Sequence, residues 1–310
     1  MHGNFVRLAF LAMFVFTGSS MDAPAQSASP IEVSLLPNRR SFVTIRHRQD
    51  PLNRIGHRFQ EHLPLVEGPV PRDYREAGIN PGEGARLEGE FARGAGVQRL
   101  QLDISEDGWA PQTWTFWLLP VSDGIELLLK VETREYGLNS YYGIQQCFRL
   151  SGATNAAWRQ EIARTPSFSE FDYWAELEKE GKPPASLTYV LRGGIWETLP
   201  ARVETVGART PLGLEVDRRR TGGNLAAMPR VGPYDAEMLL PIDDGLIARV
   251  NRDRTWVCGI YWERSSHVSV HHPADCLHSI VNIGGIPPHA QRVLRGKIYW
   301  FPGGLTTLTH

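Results

Sequence analysis

The sequence predicts an all-β protein, a large antiparallel β-sandwich with a short helical insertion. Turn residues are spaced along the whole chain, which has 30 glycines and 22 prolines in 310 residues. Between these turns lie short segments that alternate as strands do or are apolar throughout. Hydrophobic residues make up 42% of the chain, enough to bury a large core.

Residues 1–25 have the pattern of an export signal. A basic stretch ending at Arg7 precedes the apolar run Leu8–Phe16, and Ala23-Pro24-Ala25 supplies a small-x-small cleavage site. We therefore expect residues 26–310 to form a single β-sandwich domain in the periplasm or outside the cell. No later apolar run reaches the roughly 18 residues that a membrane helix needs, so no transmembrane segment is expected. The formal net charge of -1 gives no reason to expect nucleic acid as a partner.

The strands and helices are expected in a definite order. We predict strands at 31–36, 39–46, 97–104, 112–119, 124–133, 141–150, 187–191, 197–206, 212–216, 236–241, 245–250, 256–263, 267–271 and 292–301. Helices are predicted at 156–163 and 168–179, the second beginning at Ser169. Residues 47–96 carry little strand pattern and are expected to form long loops.

The predicted central hairpin resembles part of a known fold. The stretch TWTFWLLPVSDGIELLLKVETR has an apolar strand, a Ser-Asp-Gly turn and a longer strand, and RGKIYWF follows near the C-terminus. Together they resemble the supersandwich fold of galactose mutarotase-like proteins. The resemblance implies a sandwich that binds or processes carbohydrate. The mutarotase pattern of catalytic histidine and glutamate has no residue-by-residue match here, so the resemblance implies no catalytic residues.

Residues 255–289 concentrate the reactive side chains, with five of the ten histidines and two of the three cysteines. Alternation from Trp256 to Trp262 predicts a strand whose Trp256, Cys258, Ile260 and Trp262 share the core face. In the next strand, 267–271, Val268 and Val270 share one face. His267, Ser269 and His271 share the other, which is expected to point at solvent or a cleft. His272-Pro273 should end this strand and place Asp275, Cys276 and His278 in a loop.

Acid–base chemistry on a sugar is the first reaction that these residue types favour. The candidate catalytic residues are His267, His271, His272, Glu263 and Tyr141, with Tyr142 and Tyr261 as further tyrosines. The candidate substrate-binding residues are Arg264, Arg219, Tyr142 and Trp174, because arginine pairs with carboxylates and aromatic rings stack on sugars. A lyase would need a base and a cation, whereas a hydrolase would need two carboxylates in one pocket. The spacing does not choose between them.

A divalent metal ion is a further candidate ligand, bound by His278 and Asp275 with help from the neighbouring histidines. His267 and His271 would lie about 13 Å apart on a straight strand, too far to share an ion. Cys276 and His278 are better neighbours. The spacing matches no standard zinc signature, and loop histidines that only form hydrogen bonds are the simpler alternative.

The three cysteines leave two alternatives open. Cys258 and Cys276 can form a disulfide in an oxidising compartment, because a strand and the following loop can return within reach. Alternatively, Cys258 and Cys147 are inert buried thiols.

The sequence thus predicts a secreted protein that binds carbohydrate and acts on a polysaccharide or oligosaccharide as a lyase or hydrolase. The alternative is a non-catalytic carbohydrate-binding or structural module. The spatial arrangement of the candidate residues distinguishes an enzyme from a binding module. An enzyme should bring at least three of His267, His271, His272, His278, Glu263 and Arg264 into one concave pocket, whereas a binding module should leave them dispersed.

Overall fold

Two antiparallel sheets pack face to face in the computed structural model of the chain, which confirms the predicted all-β sandwich. The structure describes residues 29–35, 42–59, 62–63, 66–67, 78–79, 91–93, 97–104, 111–138, 144–150, 162–202, 205–215, 237–239, 241–272 and 275–308. The predicted export signal and most of the predicted helix 156–163 lie outside these ranges. Among the described residues, no helix is long and apolar enough to cross a membrane.

The first sheet has eight described strands. They are β1 (Ile31–Leu35), β2 (Phe42–His47), β3 (Asp50–Arg58), β12 (Ile144–Arg149), β15 (Thr205–Arg209), β16 (Glu237–Leu239), β19 (Ser265–His271) and β20 (Cys276–Val281). Their order across the sheet is β1-β2-β3-β12-β20-β19-β15-β16, and the β15–β16 pair is parallel. The sheet therefore brings the histidine-rich β19 and β20 beside β12, more than a hundred residues earlier in the chain.

The second sheet has nine described strands. They are β7 (Phe91–Arg93), β8 (Gln98–Ile104), β9 (Gln112–Val121), β10 (Gly124–Thr133), β13 (Thr188–Arg192), β14 (Ile195–Thr198), β17 (Ile247–Val250), β18 (Trp256–Trp262) and β21 (Gln291–Pro302). Their order is β14-β13-β17-β18-β21-β10-β9-β8-β7. Two small ribbons pair β4 (His62–Leu63) with β6 (Gly78–Ile79) and β5 (Val66–Glu67) with β11 (Gly137–Leu138).

The core lies between the two sheets and follows the alternation of the strands. On β9, Trp114, Phe116 and Leu118 point inward and are fully buried. On β18, Cys258, Ile260 and Trp262 are fully buried, as the alternation predicts. Residues of the first sheet such as Phe148 and Leu277 belong to the same apolar cluster. Burial of these side chains is the main force that holds the sheets together.

Helix α1 (Glu170–Lys179) is the described part of the helical insertion. Ser169 caps its N-terminus, as predicted, by accepting a hydrogen bond of 3.3 Å from the Asp172 amide. Trp174 is the buried aromatic of the helix, and its Nε1 donates to the Ala185 carbonyl at 2.8 Å. A 3-10 turn (Leu305–Thr307) closes the described chain.

Several predicted segments differ from the structure. The expected loop 47–96 contains the nine-residue strand β3. The expected strand 197–206 is divided between β14 and β15, which lie in different sheets. Residues 211–215 form a helical turn rather than a strand. Cys276 and His278 lie on the strand β20 rather than in a loop, because the chain turns back at Asp275 and pairs with both β19 and β12.

Other parts of the chain cover one side of the outer face of the second sheet and leave the other side open. The candidate site lies on the open side. At its β13–β17–β18 side, a second apolar cluster that includes Leu187, Val250 and Phe301 packs against Leu305 and against Tyr173 of α1. Across β18, β21, β10 and β9, the outer face instead forms a groove.

Candidate functional site

A groove of about 670 Å³ lies on the outer face of the second sheet. Its lining residues come from neighbouring strands and are Val97, Trp117, Leu119, Glu126, Leu127, Leu128, Tyr261, Arg295, Gly296, Lys297 and Tyr299. Leu119 is 39% exposed and Trp117 is half-buried, so apolar and aromatic surface remains accessible. Exposed apolar surface with a few polar groups is the usual composition of a ligand site.

Strand register brings the polar groups of the groove into one row. Lys297 on β21 stands directly opposite Tyr261 on β18 and Glu126 on β10. Glu126 in turn stands opposite Leu119 on β9. Residues opposite one another on adjacent strands share a face, with Cβ atoms about 5 Å apart. The row therefore offers a phenol, an ammonium group, a carboxylate and an apolar surface in succession.

A second row runs beside the first. Arg295 on β21 stands opposite Leu128 on β10, and Leu128 stands opposite Trp117 on β9. Trp117 is paired with Arg99 on β8. The two rows together surround the Trp117 indole with cationic and apolar side chains on the same sheet face.

Burial and neighbouring acidic residues raise the pKa values of the two tyrosines in the groove. Burial raises the pKa of Tyr261, and the charges of Asp244 and Glu263 raise it further. Burial likewise raises the pKa of Tyr299, with Asp123 and Tyr261 as the next causes. Both phenols are thus protonated at neutral pH and can donate hydrogen bonds. Neither has the lowered pKa that would make it a base.

Lys297 is held in place at the centre of the groove. Its Nζ lies 2.8 Å from Asp123 Oδ2 and 4.9 Å from the centroid of the Tyr299 ring. These contacts restrict the conformations of the ammonium group. An oriented cation costs less conformational entropy when it binds a ligand.

Glu263 and Arg264, predicted as neighbours in one site, diverge at the turn between β18 and β19. Glu263 is exposed beside the groove, and its Oε1 accepts a hydrogen bond of 2.9 Å from the Arg295 amide. Arg264 instead donates from Nε to the Asn282 carbonyl at 2.9 Å. Burial and the nearby Arg292 lower the pKa of Arg264.

His267 and His271 lie on the outer face of the first sheet, and His267 is buried rather than directed at solvent. His267 is 6% exposed, and its Nδ1 lies 2.9 Å from Ser266 Oγ. His271 is partly exposed, and its ring stacks on that of His278 with centroids 6.2 Å apart. The structure therefore brings His271 and His278 together but keeps both away from Glu263.

His278 has two cysteines as neighbours. The ligand atoms of Cys147, Cys276 and His278 all lie within 4.8 Å of one another, and all three residues are buried. No disulfide joins any of the three cysteines, and Cys258 lies on the other sheet from Cys276. The predicted Cys258–Cys276 disulfide is therefore absent, and the alternative of buried thiols describes the structure.

His272 and Asp275 lie in a buried cluster of charges. Asp275 pairs with the guanidinium of Arg249, and His272 Nδ1 lies 3.2 Å from Glu170 Oε2. His272 is 3% exposed and Asp275 is 0% exposed. Burial raises the pKa of Asp275 to about 6 although Arg249 opposes the change. Asp275, predicted as a metal ligand with His278, thus faces an arginine instead.

Trp174, predicted to bind substrate, closes the same cluster. Its ring is 5.1 Å from that of His272 and 5.5 Å from that of Phe171, and Arg202 lies over it. The ring is enclosed by protein rather than presented to a ligand. Tyr141, Tyr142 and Arg219 lie outside the described residues.

Sequence reasoning missed most of the groove. Trp117, Glu126, Lys297 and Tyr299 lie in segments predicted only as strands, and the first strand of the central hairpin, which is β9, is described from the sequence only as apolar. The available signal was the alternation itself, because Trp117 and Leu119 fall on the face opposite Trp114 and Phe116.

The fold and the groove define the chain as an all-β sandwich with a groove of ligand size on one sheet face. No family model and no curated protein matches it. The chain is similar to the solved structure of the Slr1438 protein from Synechocystis sp. PCC 6803, with 10% identity and a TM-score of 0.45, over 88% of this chain and 92% of that one.

Solved structures similar to the chain include galactose mutarotase-like proteins, the group that its central hairpin resembles. One is from Clostridium acetobutylicum, with 8% identity and a TM-score of 0.42, over 89% of this chain and 94% of that one. A galactose mutarotase related enzyme from Lactobacillus acidophilus has 8% identity and a TM-score of 0.44, over 92% and 99%. With TM-scores below 0.5, these likenesses transfer no residue role to this chain.

Proposed function

We propose that the protein is an extracytoplasmic carbohydrate-binding module whose groove on the second sheet holds a saccharide. The observation that carries the proposal is the pair of rows across β18, β21, β10 and β9: Trp117 stands opposite Leu128 and diagonal to Glu126, and Lys297 and Tyr261 follow on the next two strands. The flat apolar face of a sugar ring packs on an aromatic side chain. The hydroxyls of the same saccharide can bond to Glu126 beside the indole and, farther along the groove, to Lys297 and the protonated phenol of Tyr261.

Dispersal of the histidine-rich residues favours binding over catalysis. Glu263 lies beside the groove, His267, His271 and His278 lie on the first sheet, and His272 lies in the buried charge cluster. The lining of the groove contains none of the six side chains that an enzyme is expected to assemble in one pocket. The raised pKa of Tyr261 also disfavours a tyrosine base.

An enzyme acting on a polysaccharide or oligosaccharide is the second candidate. The observation that favours it is the position of Tyr261. This residue stands opposite Lys297, which stands opposite Glu126 in the strand register, and the charge of Glu263 contributes to the raised pKa of Tyr261. A hydrolase needs two carboxylates at one site, and Glu126 and Glu263 supply two near one tyrosine. The same residues supply no base suited to an elimination, so hydrolysis is favoured over lyase chemistry.

The extracytoplasmic location is a proposal from the leader pattern of residues 1–25. Expression with a C-terminal tag in a bacterial host, followed by fractionation and N-terminal sequencing, tests it. We expect the tagged protein outside the cytoplasm, beginning near Gln26. Uncleaved protein in the cytoplasm would overturn this part of the proposal.

A panel of plant, algal and microbial polysaccharides tests the function. Binding is measured by retardation in glycan-containing gels, and product masses and ultraviolet absorbance are measured after long incubation. Retention by one glycan class without products supports the binding module. New oligosaccharides establish the enzyme instead, and absorbance from unsaturated uronates would identify a lyase. Neither binding nor products would refute the carbohydrate role.

A further inference from the structure

A buried set of sulfur and nitrogen ligands lies on the outer face of the first sheet, away from the groove. Cys147 lies on β12, and Cys276 and His278 lie two residues apart on β20. Residues two apart on a strand share a face, and Cys147 stands directly opposite His278. All three side chains therefore project from one face of the same two strands.

The three side chains are close and enclosed. Their ligand atoms lie within 4.8 Å of one another, and the residues are 0%, 1% and 1% exposed, in chain order. Ser269 on the adjacent strand β19 places its hydroxyl 3.4 Å from His278 Nδ1 and so orients the ring. Hydroxyl and carbonyl groups commonly orient metal-binding histidines in this way.

A disulfide between Cys147 and Cys276 fits the strand register poorly. Cys276 stands opposite Arg149, two residues beyond Cys147, so the two cysteines are diagonal neighbours. Diagonal neighbours have Cα atoms about 7–8 Å apart, whereas disulfides need about 4.4–6.8 Å. The thiols can approach one atom placed between them more easily than they can bond to each other.

We propose that Cys147, Cys276 and His278 form a binding site for a thiolate-preferring metal ion, with Zn²⁺ as the best match. Two thiolates and an imidazole are a known zinc ligand set, and a fourth position completes the tetrahedron. Two thiolates neutralise the double charge of Zn²⁺, and a neutral site suits a buried location. His271 stacks on His278 and stands opposite Cys276, and it can supply the fourth ligand.

The site would tie β12 to β20, two strands that are distant in sequence. Thiolate ligands and an enclosed position indicate a structural metal rather than a catalytic one. Because the ligands are buried, the ion must enter during folding. The experiment therefore supplies metal to growing cells rather than to the folded protein.

The test measures metal in protein purified from cells grown with added zinc or, separately, cobalt. We expect about one zinc per chain after dialysis. The cobalt-grown protein should show thiolate-to-cobalt charge-transfer absorption. Wild-type protein without that absorption and without stoichiometric zinc would overturn the proposal, whatever the variants do. Cys147 and Cys276 found joined in a disulfide in zinc-grown protein would also overturn it.

Three variants locate the site, and a fourth is the matched control. Cys147→Ser, Cys276→Ser and His278→Asn should each reduce bound zinc at least tenfold. Cys258→Ala changes an equally buried cysteine on the other sheet and should retain the ion. Zinc retained by all three ligand variants, or lost equally by Cys258→Ala, would refute the assignment. Glycan binding by the groove is measured in parallel, because the metal site and the groove make independent predictions.

Discussion

Arg249 and Glu170 face each other in the buried interior, with Arg249 Nη2 3.4 Å from Glu170 Oε2. The guanidinium also pairs with Asp275 and donates from Nε to Thr188 Oγ1 at 2.9 Å. Glu170 Oε1 accepts a hydrogen bond of 2.7 Å from the Leu187 amide. The cluster thus joins helix α1, strand β17 of the second sheet and the turn that enters β20 of the first.

Arg249→Met should strongly destabilise the protein. Removing the guanidinium leaves two buried carboxylates without their counter-charge, which costs about 3–5 kcal/mol. Denaturant unfolding at neutral pH measures the loss. The matched control is Arg252→Met, which removes a partly exposed pair with Glu176 and should cost less than about 1 kcal/mol. Equal losses of unfolding free energy in the two variants would show that the buried carboxylates are not the cause of the destabilisation.

Glu170 should make the protein less stable at acidic pH. Burial acts to raise the pKa of Glu170, but Arg249 and His272 outweigh it and lower the pKa from 4.5 to about 2. A lowered pKa contributes stability that is complete above pH 4.5 and is lost as the pH falls toward about 2. This lowering of the pKa corresponds to on the order of 3 kcal/mol in the free energy of unfolding.

Unfolding free energies from pH 6 to pH 2, for wild type and Glu170→Gln, measure this contribution. The variant should be less stable at pH 6, and the gap between the two proteins should narrow below about pH 4.5. A constant gap across this range would show that Glu170 is not the responsible group.

His57 should also make the free energy of unfolding depend on pH, and this effect begins at a higher pH than that of Glu170. Complete burial lowers the pKa of His57 from 6.5 to about 3, although Gln146 forms a hydrogen bond to the ring. Between these values the unfolded chain binds a proton that the folded protein does not. The contribution of His57 alone should therefore lower stability by about 1.4 kcal/mol per pH unit as the pH drops below 6.5.

His57→Phe tests this dependence, because the ring already packs between Phe59 and Phe148. The difference in unfolding free energy between wild type and variant should change by about 1.4 kcal/mol per pH unit between about pH 6 and pH 5. The comparison cancels the opposite contribution of Asp275, whose pKa is raised to about 6 and which both proteins retain. Parallel curves for the two proteins would rule out His57 as the source.

Two substitutions in the groove should weaken glycan binding. Trp117→Ala removes the stacking surface, and Glu126→Gln removes a charged acceptor from an exposed position. We expect each to reduce affinity by about tenfold, equivalent to about 1.4 kcal/mol. Ile195→Ala is the control, because Ile195 is 67% exposed on the same sheet but outside the groove. Affinity gels with the best glycan of the panel measure all three, and unchanged binding by Trp117→Ala would exclude the groove.

The strand β3 shows why part of the fold was not predictable from sequence. Its inward side chains include Asn53 and His57, so it lacks the apolar alternation of a strand. Asn53 bonds to Asp50 nearby and also to Ser167, 114 residues away, and His57 bonds to Gln146, 89 residues away. Buried polar groups are tolerated when they are paired, and a local pattern does not contain distant partners.

The sequence by itself determined the fold class, the core face of β18 and the start of helix α1, because strand alternation and helix capping depend on neighbouring residues. Only the tertiary structure decided which reactive side chains meet. It separated Glu263 from the histidines, enclosed His272 and Asp275 with Arg249, and placed Cys147 beside Cys276 and His278. These relationships depend on the order of strands in each sheet, which joins segments more than a hundred residues apart.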